Sequence, residues 1–293
     1  MREHLRGVSI ANRIRMARAA HAGSFLIVEG EDDKKLFQQL IGAVACRVQI
    51  AHGKPNLLAA LDILDSDGFP GVLAIADADC CRLDCMAPQS PNLLWTDTHD
   101  LETLLILSPA FERLLIELGD DAKLQAWRAD HGQDLRGVLL AAGAPIGYLR
   151  WLSAGEDLGW LFDDLPVEQV LIRGTLTVDW AALLAVLQGR SRQGGLVAEE
   201  IWARIEILER LTPDPWQICC GHDLVRILSH ALCRLLGSNK ESDVTPARLE
   251  MALRLAYTQA DFQRTSLRAE IAAWEQRSSP FAVLPRSAGL SPA

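Results

Sequence analysis

No apolar run in this sequence is long enough to cross a bilayer: the longest, such as Leu101 to Leu107, fall far short of the roughly 20 residues a spanning helix needs. No membrane partner is therefore expected. The first residues carry Arg2, Arg6, Arg13, Arg15 and Arg18 but no apolar core followed by a small-residue cleavage site, so no secretory leader is expected and a cytoplasmic location follows. Regular cysteine spacing is also lacking. The seven cysteines are odd in number and several lie in apolar runs, as reduced thiols of a cytosolic protein do. Cys80, Cys81 and Cys85 crowd together, yet no pair has the two-residue gap of a zinc knuckle and no histidine stands at ligand spacing, which argues against zinc. Positive charge is in deficit, 29 basic against 38 acidic residues for a formal net charge of −9. That excludes a protein that coats nucleic acid through an overall basic surface. It leaves room for a nuclease, because a bound cation brings its own charge and a local groove of arginines can hold a backbone. The arginine-rich N-terminal segment is one candidate for that groove; the alternative is a solvated amphipathic helix with Ile10 and Ile14 turned inward.

What is present is a core: 49% of the 293 residues are hydrophobic, enough for one large domain or two ordinary ones. An N-terminal helix is expected over 1–22. From 23 to 108 short apolar segments alternate with helical periodicity, the sign of an α/β fold with a small, mostly parallel sheet. Phe25-Leu26-Ile27-Val28, Arg47 to Ala51, Gly71 to Ala76 and Leu93-Leu94-Trp95 read as strands. Asn56 is the expected N-cap of the helix carrying Leu57, Leu58, Leu61 and Leu64. Over 109–277 the pattern turns helical, with segments at Phe111 to Leu118, Leu135 to Ala142, Ala181 to Leu187, Val197 to Leu211, His222 to Leu236 and Pro246 to Tyr257. Thr245-Pro246 marks a helix start, and the Ser-, Pro- and Gly-rich stretch 278–293 reads as a loose tail. Trp151, Trp160, Trp180, Trp202, Trp216 and Trp274 are scattered rather than interleaved with arginine, so they read as core anchors and not as a base-stacking platform.

Acidic residues gather where the strands end, which is where parallel α/β sheets bind their ligands. Glu29 follows the first strand, Gly30 allows the turn, and Asp33 falls about one helical turn further on. Asp77 and Asp79 follow the third strand; in extended backbone their side chains would point the same way, as two ligands of one hard cation must. Mg2+ or Mn2+ suits such carboxylates. Lys54, on the turn after the second strand, can face a phosphate or a developing negative charge. Thr96-Asp97-Thr98-His99-Asp100-Leu101-Glu102 follows the fourth strand. Asp100 can cap the helix that begins at Leu101, and His99 is either a loop histidine or a proton donor. Gly221-His222-Asp223 reads as helix initiation.

The ordered pattern Val28-Glu29-Gly30-Glu31-Asp32-Asp33, then Asp77-Ala78-Asp79, resembles the Toprim signature. With His52-Gly53-Lys54, the Asp97 to Glu102 stretch, Gly221-His222-Asp223-Leu224 and Leu253 to Tyr257 through Phe262, Thr265 and Trp274, most of the chain resembles more narrowly the Toprim-like family that includes the AriB effector nuclease of PARIS anti-phage systems. The resemblance implies a metal-dependent endonuclease acting on RNA such as tRNA, or on DNA, with Glu29, Asp77 and Asp79 as the catalytic acids, Asp33 as a further acidic position, and Asp100 and Glu102 as a later acidic pair that would hold a second metal; the helix cap is the equal alternative for Asp100, while Glu102 is read as functional. It also implies an ABC- or SMC-type ATPase partner that holds the nuclease in check; self-association into a homodimer stays open. Topoisomerase and primase activities are disfavoured, since the only tyrosines, Tyr148 and Tyr257, lie outside any strand-passage module and no zinc ribbon is present. The rival readings are an inert Toprim-like regulatory or binding subunit of an ATPase complex, and a different phosphoryl-transfer enzyme built on the aspartate pair. A dehalogenase-type phosphatase would need Thr or Val where Cys81 stands.

Overall fold

The computed structural model describes residues 2–131, 134–190 and 197–285. The chain divides into two compact units: the first holds 1–78, 86–97 and 258–293, the second 79–85 and 98–257. The sheet unit thus takes in residues beyond 257 that the sequence pattern assigns to the helical half, while 98–108 belong to the second unit.

The first unit is organised by four strands, β1 (Ser24–Val28), β2 (Cys46–Ile50), β3 (Val72–Ala76) and β4 (Leu93–Trp95), all parallel in the order β2-β1-β3-β4. The two central strands are buried along their whole length, as continuous apolar runs in a parallel sheet must be, whereas edge strand β2 keeps polar residues at alternate positions. The expected α/β class is therefore correct. Helix α1 (Arg2–Ala17) packs against α3 (Lys54–Ser66). Ile10, Ala11 and Ile14 are buried at that contact, and each isoleucine contributes roughly 1.5–3 kcal/mol by leaving water. Helix α2 (Glu31–Leu40) buries Leu36, Phe37 and Leu40 at the spacing the sequence shows.

Two local expectations need correcting. Asn56 does not cap α3; the helix starts at Lys54 with Gly53 as N-cap, because Pro55 can occupy only the first turn, and buried Asn56 instead donates from Nδ2 to the His52 carbonyl at 2.7 Å. The described part of the tail, 278–285, is docked rather than loose. The amides of Val283 and Leu284 both donate to Glu275 Oε1 at 2.6 Å, Gly42 N donates to the Val283 carbonyl at 2.8 Å, and Val283 is fully buried. Two apolar residues in a loop-like composition are enough to anchor it. The rest of that segment, 286–293, lies outside the described residues. The helix Ser266–Arg277 returns to the sheet: Asp97 accepts the amides of Ser266 and Leu267, both at 2.7 Å, and buried Trp274 donates to Asn92 Oδ1 at 2.9 Å.

The second unit is helical apart from an isolated bridge between Leu171 and Val178. Helix α4 (Leu101–Leu107) packs on the helices Gly221–Arg234 and Pro246–Ala256. The segment expected to end at Ala142 is one helix, Leu135–Glu156, running through Pro145. Local propensity favours a break at proline, but the face carrying Gly143 and Gly147 lies against Leu224 and the Ile218 carbonyl, and that packing sustains the helix. Trp151 and Trp160 are buried, Trp180 and Trp202 are half-buried and meet edge to face at 4.7 Å, and Trp216 is half-buried. Asp223, 1% exposed, pairs with Arg150 at 2.7 and 3.1 Å and with Arg226 at 3.1 Å. It is a buried ion-pair centre more than a helix-dipole charge, since removing one partner would strand the others in a dry interior. No described helix is long and apolar enough to cross a membrane.

Candidate active site

Three strand ends of the first unit meet through hydrogen bonds. The pairing of β1 with β3 in the register Phe25↔Val72 to Ile27↔Ala74 carries the ends of both strands to the same sheet edge. There the Glu29 carboxylate reaches across and its Oε1 accepts the Asp77 amide at 3.0 Å. The backbone carbonyl of Glu29 accepts the Gly53 amide at 3.0 Å, and Lys54 Nζ donates to the Asp77 carbonyl at 2.7 Å. Glu29, Lys54 and Asp77, from three different strand ends, are thus brought together, each half-buried. Asp33 stands next to them in sequence and has a capping role: its Oδ2 accepts the Gly30 amide at 2.7 Å and closes the first turn of α2.

The aspartate pair is not carried on extended backbone. β3 ends at Ala76, and Asp79 has a φ of 46°, in the left-handed region, with its amide donated to the His99 carbonyl at 2.7 Å. The alternation that would align the two side chains holds only inside a strand, so that ground for pairing them is withdrawn. Asp79 belongs to the second unit, as do Asp100 and Glu102.

In the second unit Asp100 is a helix cap. Its Oδ1 accepts the Thr103 amide at 2.8 Å and its Oδ2 accepts the Gly221 amide at 2.7 Å, so one buried carboxylate starts α4 and fastens the start of Gly221–Arg234. His99, Asp100 and Cys220 have potential ligand atoms within 4.8 Å of one another. Hydrogen bonds and burial already account for all three. Both Asp100 oxygens accept main-chain amides, His99 Nδ1 donates to the Gln217 carbonyl at 2.8 Å, and burial pushes the Cys220 thiol well above its ordinary value and so keeps it protonated. We assign this cluster to the structure of the unit.

Glu102 was expected to be functional, and its surroundings are unusual. It is 7% exposed, and burial first, with the neighbouring Asp100 second, pushes its carboxyl up to about 8. His222 Nε2 lies 3.9 Å from Glu102 Oε2 while its Nδ1 is 2.8 Å from Glu250 Oε1; that second bond, acting against burial, holds the imidazole up at about 9. The sequence showed His222 only as part of a helix start and gave no sign of Glu250, which lies 28 positions away. Both groups bind protons more tightly in the folded chain. The unfolded chain releases the Glu102 proton near 4.5, so stability falls from there to about pH 8; the His222 contribution is complete below 6.5 and lost as pH rises through 9. The His222 side chain is 53% exposed, so screening reduces its share to roughly 1 kcal/mol. We expect Glu102→Gln to gain stability relative to the parent by about 1–2 kcal/mol between pH 5.5 and pH 8.5, measured by urea unfolding. A difference that is flat across this range, or of opposite sign, contradicts the assignment.

No protein-family model matches the chain, and no curated protein matches it.

Proposed function

We propose that the chain is a divalent-metal-dependent endonuclease that hydrolyses phosphodiester bonds at the Glu29–Asp77 sheet edge. The observation that carries this reading is the contact between two residues 48 positions apart: a half-buried glutamate held by the amide of an aspartate, with a lysine ammonium bound to that same aspartate's carbonyl. Structural carboxylates at helix starts do not require this convergence, whereas phosphoryl chemistry needs acid and cation side by side.

The residues suit Mg2+ or Mn2+. Carboxylate oxygens are hard donors, and a main-chain amide orients the Glu29 carboxylate in the way outer hydrogen bonds orient metal-bound carboxylates. Glu29 and Asp77 would hold the ion; Asp79 enters the set only through the resemblance of Asp77-Ala78-Asp79 to the Toprim signature. When bound, the ion supplies neutralisation of the phosphoryl charge. Glu29 takes the proton of the attacking water as its oxygen bonds to phosphorus, the bond from phosphorus to the departing ribose or deoxyribose oxygen breaks, and that oxygen takes a proton from solvent water. Lys54 contributes a fixed positive charge near the phosphodiester. The sequence resemblance extends the reading to a toxic effector of anti-phage defence, acting on RNA such as tRNA or on DNA and restrained by an ABC- or SMC-type ATPase. Incubation of the purified chain with structured RNA, single-stranded DNA and duplex DNA, in Mg2+, Mn2+ or chelator, tests the core claim. We expect cleavage in metal that chelator stops, and sequencing of the new ends identifies the target. Absence of cleavage in every combination, including after induced expression in cells, would overturn it.

A further inference from the structure

Beside the acid pair, the first unit has a surface cleft of about 380 Å³ lined by Arg6, Ser9, Ile10, Arg13, Ala51 and His52. The four residues from α1 recur at i, i+3, i+4 and i+7, so they form one helix face, with buried Ile10 as the floor and Arg6 and Arg13 exposed on either side. Among the described residues no carboxylate lines the cleft. The nearby arginines are spent on structure. Arg15 pairs with Asp67, and Arg18 binds the main-chain carbonyls of Gly23 and Pro70 while its guanidinium lies 4.7 Å over the Phe25 ring. Among the described residues Arg6 and Arg13 make no ion pair. In a chain of net charge −9, two guanidinium groups kept on one concave face with no counter-charge among the described residues are placed for an anion from outside.

Backbone hydrogen bonds fix where that anion would lie. The Ala51 amide donates to the Val28 carbonyl at 2.9 Å and the Gly53 amide to the Glu29 carbonyl at 3.0 Å, so the wall made by Ala51 and His52 is tied to the last residues of β1. Lys54, two positions on, reaches Asp77. Cleft, lysine and acids therefore share one sheet edge. We infer that Arg6 and Arg13 grip a backbone phosphate of the substrate strand flanking the phosphodiester that is cut, a site that rests on the nuclease reading for its purpose but has its own measurable chemistry. Ser9 and His52 add hydrogen-bonding groups at the rim.

The test uses the full chain as parent, Arg6→Gln/Arg13→Gln and Arg6→Lys/Arg13→Lys. Binding of a fluorescent single-stranded 20-mer, as RNA and as DNA, is followed by anisotropy in chelator over a range of salt, with inorganic phosphate as competitor. We expect the glutamine variant to bind about tenfold more weakly, with the slope of log K against log salt shallower by about 0.7, the value for one phosphate contact on a single strand. The lysine variant is expected to recover most of the affinity, and all three proteins to melt alike because the Ile10 and Ile14 packing is untouched. In metal, KM should rise with kcat within about twofold. Unchanged affinity and salt slope in the glutamine variant would sink the inference even if cleavage persists. Inorganic phosphate competing as strongly as the strand would also sink it, because the seat would then be for free phosphate. If the parent cleaves nothing but the binding differences appear, the nuclease reading fails and the arginine seat stands.

Discussion

Glu29→Gln is expected to lower metal-dependent cleavage by about three orders of magnitude, the upper part of the range for losing a positioned proton acceptor that also holds the cation. The substitution separates chemistry from fold. Glutamine keeps a side-chain oxygen that can accept the Asp77 amide, so the cross-link between the ends of β1 and β3 persists and stability should stay within about 0.5 kcal/mol of the parent. Asp77→Asn removes the other charge while leaving the main-chain carbonyl that receives Lys54, and the same loss without unfolding is expected. Rates on the preferred substrate, read beside thermal melts, decide the matter. Cleavage by both variants at the parental rate would mean that the carboxylates serve only the architecture. A parallel fall in activity and melting temperature would point the same way.

Gly221→Ala is expected to destabilise the second unit strongly. A Cβ built at Gly221 falls 2.4 Å from Asp100 Oδ1, 2.4 Å from the Glu102 Cβ and 2.7 Å from the Thr103 amide nitrogen. None of these neighbours can swing aside. Asp100 is held by Thr103 and by the Gly221 amide itself, Glu102 is buried, and the third atom is main chain. Helix propensity alone would favour alanine, but the overlap wins, because relieving it moves either the cap of α4 or the whole first turn of Gly221–Arg234. We expect a loss of about 3 kcal/mol, seen as a melting temperature lower by roughly 6–12 °C. Gly137→Ala is the control. Nothing lies within 4 Å of a Cβ at that helical position, so alanine there should leave stability unchanged or raise it by up to about 1 kcal/mol. Equal behaviour of the two variants would contradict the close packing of Gly221 on Asp100.

The clearest sequence signals were those with a short period. Phe25 to Val28 and Gly71 to Ala76 are apolar throughout because both faces of a central parallel strand are covered, and they appear as β1 and β3 within one residue. An aspartate before Leu101 fits capping or metal binding equally in the sequence; the structure adds the Gly221 amide, 121 positions later, as a second main-chain donor to the same carboxylate. The expected alignment of Asp77 and Asp79 on extended backbone fails for a related reason. Alternation assumes that the strand continues, and the left-handed turn at Asp79 is set by its amide bond to His99.

By itself the sequence determined which segments are strands and helices and which acids stand at strand ends, because burial on one or two faces imposes a local repeat that any window of the chain displays. Tertiary structure alone decided that β1 lies beside β3, so that Glu29 meets Asp77, that Arg15 and Arg18 are consumed while Arg6 and Arg13 make no ion pair among the described residues, and that His222 finds Glu250. Those outcomes depend on which distant groups become neighbours when the apolar faces close, and a hydrogen bond across 48 residues leaves no period in the chain.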